Sequence, residues 1–400
     1  MNKPRLLIIL NRLAVGGPAF NVISGAAALS NEFEILLLAG APDADEQPAD
    51  YLLDQFKGFQ FQKINSLKRS VLPGTDWRAY KEIKKTIRQF QPQIVHTHGA
   101  KPGVLGRLAA YRSKVPVIVH TFHGHVFHSY FSGFVSSMIV RIERWLAGFS
   151  SAIVAISSIL KDDLVHKYKI AASGKIQLIR LGIDTIQFHD EDGSKRTRFR
   201  KEFNLSNDAI AIGIIGRLVP VKNHHLFIEV ATEVLKTEGK DHALKFFIVG
   251  DGTARASLQE FIRSKHLSFA ETASKDHGNA NFIFTSWRKD MDEVYAGLDI
   301  IMLTSLNEGT PVSIMEAMAA GKPVLSTNVG GISELIKDGQ TGLLASTKNE
   351  LVAGLSSLIA NTSLREQLST GAENDAANFS KPAESEALSI LYHSQLYRAK

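Results

Sequence analysis

The chain has no cysteine in 400 residues, which excludes structural disulfides and thiol catalysis and makes a reducing cytosol the easiest home. It also lacks long apolar runs, and no segment approaches the ~20 residues needed to span a bilayer. Residues 6–10 are apolar and follow Lys3 and Arg5, but they are too few for a signal-peptide core and give way at once to Asn11 and Arg12. They read as a strand. No short repeat or low-complexity tract occurs. No zinc-finger, recognition-helix or aromatic RNA-binding signature is present, so nucleic acid fits least well as a partner. The first glycine pair, Gly16-Gly17-Pro18, is not a G-x-G-x-x-G string, and no acidic residue stands out about twenty positions on to hold a ribose. A dinucleotide-binding reading loses its fingerprint.

An apolar fraction of 44% with 22% charged residues is that of a folded protein long enough for two full cores. The net charge is +6, concentrated in one region: between Lys57 and Lys114 thirteen Lys or Arg face only Asp76 and Glu82. Such a patch attracts nucleic acid, an anionic phospholipid surface or a pyrophosphate-bearing acceptor, unless it is simply a solvated helix face. Residues 126–140, with Phe127, Tyr130, Phe131, Phe134 and Met138, form an aromatic run that suits either a membrane interface or an ordinary buried helix.

Short β-branched runs at residues 5–10, 34–39, 94–97, 117–121 and 152–156 alternate with helical stretches, and a second such series begins at 209–216 and continues at 246–252, 281–284, 300–304 and 323–326. Runs this apolar predict parallel strands covered on both faces. The expected fold class is α/β: two facing Rossmann-like domains with a ligand cleft between them at the strand carboxyl ends, with a polar linker at residues 183–195. The expected domains are residues 1–183, residues 184–381 and a final helix within residues 382–400, whose Leu388, Leu391 and Tyr392 share a face.

The most informative stretch is Glu308-Gly-Thr-Pro-Val-Ser-Ile-Met-Glu316, two carboxylates eight positions apart across a turn that opens into a helix. Pro311 is the natural first helical residue. The unpaired amides around Gly309, Thr310, Val312 and Ser313 then lie at the positive end of the helix, where they can receive a phosphate, while Glu308 and Glu316 accept from hydroxyls. That combination describes a nucleotide-sugar site better than a general acid/base pair. Arg217 and Lys222 follow the strand ending at Gly216; a guanidinium fork and a point charge on such a loop can neutralise two phosphates and stabilise a departing diphosphate. Three Asp-x-Asp strings (Asp43 with Asp45, Asp190 with Asp192, Asp290 with Asp292) are expected to be solvated, because the Arg217 and Lys222 pair already supplies the charge a metal would bring. His96, His98, His120, His123, His125 and His128 cluster at two strand ends. Zinc ligands, core histidines and a ligand-facing His123 are all open from spacing alone, although no helical H-x3-H is present.

The E-x7-E tract, its continuation through Gly330-Gly331 and Asp338-Gly339, and the Gly216-Arg217-Leu218 run up to Lys222 resemble the retaining glycosyltransferases of family 4 over essentially the whole chain. The resemblance implies the GT-B fold, with the last helix crossing back to the first domain. It implies that Arg217 and Lys222 contact a donor diphosphate, that Glu308 holds a donor-sugar hydroxyl and Glu316 the ribose, and that His123 lies near the transferred sugar. Gly16 and Gly17 would face donor phosphate and acceptor, with Gly250 also on the donor side, and Trp287-Arg288 would meet the base through backbone groups. No metal and no cofactor are expected. The implied partners are a nucleotide-diphosphate sugar, most readily a UDP-sugar, and a lipid-linked or glycan acceptor, with peripheral contact to the inner face of an anionic membrane. The family's Asn-Gly-hydrophobic-Asp element reads Leu181-Gly182-Ile183-Asp184 here, which removes the Asn ligand. A nucleotide-sugar epimerase and a non-catalytic nucleotide-sugar binding module are the competing readings.

Overall fold

A computed structural model describes residues 3–43, 46–124, 133–274 and 277–399, with Gly133 and Phe134 as backbone only. His125, His128, Phe127, Tyr130, Phe131 and Asp45 lie outside the described residues. The chain divides into two compact units, one of Met1–Gly182 with Lys381–Lys400 and one of Ile183–Ser380.

The first unit is a seven-stranded, wholly parallel sheet of β1 (Arg5–Arg12), β2 (Glu34–Gly40), β3 (Gln60–Lys63), β4 (Ile94–His98), β5 (Val117–Phe122), β6 (Ala152–Ala155) and β7 (Ile176–Leu178), in the order β3-β2-β1-β4-β5-β6-β7. Strand alternation sends Leu6, Ile8 and Leu10 into one core with helix Gly17–Leu29, and Leu7 and Ile9 into another with helices Pro73–Phe90 and Ala100–Arg112. Both faces are thus covered, which is why these strands read as continuous apolar runs. The final helix, Lys381–Arg398, belongs to this unit and buries Leu388, Leu391 and Tyr392 in the first of those cores. Its Glu384 accepts from Asn21 Nδ2 at 2.9 Å, from the Gly182 amide at 3.0 Å and from Lys381 Nζ at 2.6 Å.

The second unit repeats the plan with β8 (Ile210–Ile215), β9 (Leu244–Val249), β10 (Phe269–Glu271), β11 (Phe282–Ser286), β12 (Ile300–Leu303), β13 (Val324–Thr327) and β14 (Leu343–Ala345). All pair in parallel, in the order β10-β11-β9-β8-β12-β13-β14. Ile212, Ile214, Phe246, Ile248, Phe284 and Met302 meet Phe227, Leu258 and Leu355 on one face, and Phe247 meets Phe199 and Phe203 on the other. Within the segment expected as a linker, Phe188 is buried with its ring edge on Tyr295, 5.6 Å between centroids. Of the aspartates expected to be solvated, Asp192 is exposed, and it, Asp190 and Asp292 also carry hydrogen bonds or an ion pair. Asp190 accepts from the amides of Lys195 and Arg196, Asp192 from the amide of Ser194, and Asp292 pairs with Lys195 at 3.0 Å. They fix the start of helix Ser194–Glu202, whose free amides need acceptors more than the surface needs charge. Among the described residues no helix is long and apolar enough to cross a membrane, and no group of three or more His, Asp or Glu could hold a metal ion.

Candidate active site

In the second unit the strand order reverses between β8 and β12. The connections leaving these two neighbours diverge at their carboxyl ends and leave a crevice there. The loop after β8 carries Arg217 and a short helical turn ending at Lys222; the loop after β12 carries Glu308 and leads into helix Val312–Ala319. Backbone and hydroxyl hydrogen bonds join the two loops. Leu306 N donates to Val221 O at 2.8 Å, Thr304 Oγ1 to Asn223 O at 3.0 Å, and Thr327 Oγ1 from the end of β13 to Ser305 O at 2.8 Å. Gly330 completes the clamp: at φ +57° it lets the chain press on Glu308, and a Cβ there would lie 1.9 Å from the Glu308 carbonyl oxygen.

Held this way, Glu308 and Lys222 form an ion pair, Nζ to Oε1 at 2.5 Å, with Ser305 Oγ donating to the same oxygen at 2.6 Å. Their side chains are only 19% and 11% exposed for Lys222 and Glu308. Arg217 is exposed, and no hydrogen bond or ion pair ties its guanidinium among the described residues. The site therefore offers one free cation beside one that is internally neutralised.

Pro311 is not the first helical residue. Its backbone is extended at ψ 113°, it serves as the cap, and the helix opens at Val312. Proline's missing N–H costs nothing at either position, so local sequence could not separate them. The amides left at the helix start are those of Val312 and Ser313, because Ile314 N already donates to Pro311 O at 3.1 Å. Gly309 and Thr310 lie just before, and Thr310 Oγ1 is buried with no partner among the described residues. Glu316, in the second turn, receives the hydroxyl of Tyr295 on Oε2 at 2.8 Å; the same hydroxyl lies 3.0 Å from Ser313 O. Part of Glu316 reaches the surface, but its carboxyl is enclosed, and loss of solvation pushes its pKa up to about 7 against the opposing hydrogen bond from Tyr295.

Gly250 closes the end of β9 so tightly that a Cβ at its φ of +128° would sit 2.1 Å from Gly216 O. It shapes the Arg217 loop. Trp287 and Arg288 follow β11, but the Arg288 guanidinium is consumed by Glu202 at 2.5 Å and Asp290 at 2.5 Å and stays firmly charged through those hydrogen bonds. The Arg288 guanidinium is thus not free for a ligand, while the backbone groups at this position are. The sequence reading missed Ser305 and Tyr295, which hold the two glutamates, and His224, which is buried with neither ring nitrogen partnered among the described residues. Desolvation, then the charges of Lys222 and His225, lowers the His224 pKa to about 3.

The remaining candidates lie in the first unit, at the carboxyl ends of β1, β4 and β5 around that sheet's own reversal. Gly16 caps, and Gly17 opens, a helix that begins two residues before the expected Ala19. His123 Nε2 is 2.9 Å from His98 Nδ1; His96 bonds Tyr392 Oη at 2.6 Å and Thr121 Oγ1 at 2.7 Å. His120 is 2.9 Å from Thr97 Oγ1. Desolvation lowers His96 to about 3 and, with the Lys381 charge, His123 to about 4. His98 and His120 move the same way for the same cause. His96, His98 and His120 are buried core histidines and His123 is half-buried.

Two doubly wound sheets, one gathering cations, carboxylates and free helix amides at its reversal point, define a class of α/β proteins suited to anionic, hydroxyl-rich ligands. Comparison with known proteins is more specific. Residues 16–187 match the model of Glycosyltransferase Family 4, and residues 195–375 match that of Glycosyl transferases group 1. Among curated relatives, an Escherichia coli UDP-Gal:alpha-D-GlcNAc-diphosphoundecaprenol alpha-1,3-galactosyltransferase is 27% identical over 295 residues, 74% of this chain and 72% of its own. The Staphylococcus aureus capsular polysaccharide biosynthesis glycosyltransferase CapM is 24% identical over 82% of this chain and 84% of its own. Anabaena Alr3699/HepE, solved with UDP and glucose, superposes with a TM-score of 0.78 at 18% identity, covering 98% of this chain and all of that one. WaaG, a lipopolysaccharide biosynthesis glycosyltransferase, gives 0.75 at 16% identity over 96% and 99%. This chain belongs to the family 4 type of glycosyltransferases and has the GT-B fold.

Proposed function

We propose that the protein is a retaining transferase that moves a hexosyl or N-acetylhexosaminyl group from a UDP-sugar to a hydroxyl of a lipid-linked or glycan acceptor in cell-surface polysaccharide assembly. The observation that carries this reading is the Lys222–Glu308 ion pair beside the unpaired Arg217 and the free amides of Val312 and Ser313. An incoming diphosphate takes Lys222, Arg217 and the helix amides, and Glu308, released from Lys222, accepts from a donor-sugar hydroxyl. Glu316 accepts from the ribose. UDP in the ligand-bound HepE, and the donor and lipid-diphosphate acceptor in the name of the Escherichia coli relative, support the choice of substrates.

In the reaction the bond from the anomeric carbon to the β-phosphate oxygen breaks while the acceptor oxygen bonds to the same face of that carbon. The acceptor proton passes to the departing phosphate, whose growing charge Arg217 and Lys222 stabilise. Neutral His123 positions the sugar. Arg217→Ala is expected to lower kcat ~100-fold or more, by analogy with removal of one charge-stabilising donor, with the melting temperature unchanged. An unchanged rate refutes its role. A thermal-shift screen against UDP-, GDP- and ADP-sugars, followed by the anomeric configuration of the product, tests donor and stereochemistry. Donor turnover without any acceptor alcohol would favour an epimerase.

A further inference from the structure

At the carboxyl ends of β4 and β5, four polar side chains gather on one face of the first sheet. Strand alternation sends Ile94, His96 and His98 to the side packed by helix Gly17–Leu29 and the last helix, and the parallel register sets His98 beside Thr121, two residues before His123. Thr97 and His120 turn to the opposite side, where His120 lies against Gly103. Strands covered on both faces ordinarily carry aliphatic residues at such positions. Here His96 and His98 are taken out of water instead, at a cost in free energy unless their nitrogens find partners.

The partners form a line. His96 is pinned at both nitrogens, by the Tyr392 hydroxyl of the last helix at 2.6 Å and by the Thr121 hydroxyl at 2.7 Å. Its ring centroid lies 4.1 Å from that of His98, and His98 Nδ1 is 2.9 Å from His123 Nε2. A fixed ring thus backs a second, which holds a third. Both His98 and His123 are neutral near pH 7, so the bond between them carries one proton, and whichever ring donates it, Nε2 of His123 is spent. His123 Nδ1 has no partner among the described residues and is the nitrogen left for a ligand. Whether Nε2 carries the proton decides whether Nδ1 accepts or donates.

We propose that His98 is a positioning residue of the transfer reaction, fixing through its Nδ1 the orientation and tautomer of the His123 ring so that His123 Nδ1 meets a hydroxyl of the donor sugar. The inference rests on the transferase reading and adds to it which nitrogen faces the sugar and what holds it there. An imidazole without a partner populates both tautomers and turns about its side-chain bonds. A neighbour on one nitrogen removes that freedom before the sugar arrives.

The test uses the full chain and three readouts. Nitrogen NMR of the histidine-labelled protein, with His123 assigned by its loss in His123→Ala, is expected to show one tautomer in the wild type and an average of two in His98→Phe, which keeps a flat ring against His96. With UDP-glucose or UDP-galactose as donor, His98→Phe should lower kcat/KM about tenfold, the effect of losing about one hydrogen bond. The Kd for UDP, which lacks the sugar, should stay within about twofold in calorimetry, because no hydrogen bond to the nucleotide is lost. His98→Asn, whose amide stands where Nδ1 stood and can donate or accept, should restore the single tautomer and most of the rate. Added to His123→Ala, His98→Phe should cost nothing more, since its effect passes through the missing ring. Additive losses in that pair, an equal loss of UDP affinity, an unchanged His123 tautomer in His98→Phe, or an Asn variant no better than Phe would overturn the proposal. Failure of the transferase reading looks different: the wild type transfers neither sugar, or His123→Ala is as active as the wild type, while the tautomer still follows His98. That result removes the sugar contact and refutes both.

Discussion

Glu308 and Glu316 show how one residue type meets two environments within a single turn-and-helix. Glu308 stands against an ammonium and a hydroxyl; Glu316 sits in an enclosed pocket with the hydrogen bond of the Tyr295 hydroxyl, and loss of solvation raises its pKa to about 7. If Glu316 accepts ribose hydroxyls, donor binding selects its ionised form and expels a proton. Affinity for a UDP-sugar should then strengthen as pH rises through about 7, with a proton released near neutrality. Glu316→Gln should bind weakly and without that limb; calorimetry in buffers of different ionisation heat reads both. The same shift acts on stability with the reverse of the usual carboxylate sign. The folded chain keeps a proton between 4.5 and about 7 that the unfolded chain has lost, so ionising Glu316 removes stability as pH climbs through that window.

At the scale of elements, the site depends on three loops leaving β8, β12 and β13, which no local pattern joins. Gly330 is their point of closest approach. Gly330→Ala must displace the Glu308 backbone, and a loss of about 1–3 kcal/mol with near-complete loss of turnover is expected from denaturant unfolding and rate measurements. Retained activity would mean that the loop relaxes without moving Glu308. The last helix depends on Glu384 in a similar way. Its carboxylate satisfies Asn21, the Gly182 amide and buried Lys381 together. Glu384→Ala leaves a buried ammonium unpaired and should cost ~3–5 kcal/mol in the same unfolding measurement. The edge strands β3, β7, β10 and β14 escaped the sequence reading for a related reason: Gln60–Lys63 is polar and mostly exposed, and Ile176–Leu178, Phe269–Glu271 and Leu343–Ala345 are three residues each, so pairing with an existing sheet defines them rather than composition.

Across the whole molecule, five of the described histidines are held neutral: His96 and His224 at about 3, His123 at about 4, and His98 and His120 well below 6.5. Unfolding returns each to an ordinary value near 6.5. Below that pH the unfolded chain takes up protons that the folded chain refuses, at about 1.4 kcal/mol per group per pH unit. Their contribution is therefore complete above 6.5 and is lost as pH falls toward 4. Calorimetric melting should show a steep drop in Tm between pH 7 and pH 5, with several protons bound on unfolding. A flat profile over that range would mean that these histidines titrate as free ones do.

The sequence by itself determined the α/β class, the central strands, the presence of a helix within the E-x7-E tract and the basic loop, because these rest on periodicity, backbone chemistry and residue type within a few positions of one another. Tertiary structure alone decided that Lys222 is neutralised by Glu308, that Tyr295 and Ser305 hold the two glutamates, that Arg288 belongs to Glu202 and Asp290, and that His98 is bonded to His123. Each of these depends on a distance between segments far apart in the chain. Such distances are fixed by which strands become neighbours in a sheet and by how closely glycine lets their loops approach.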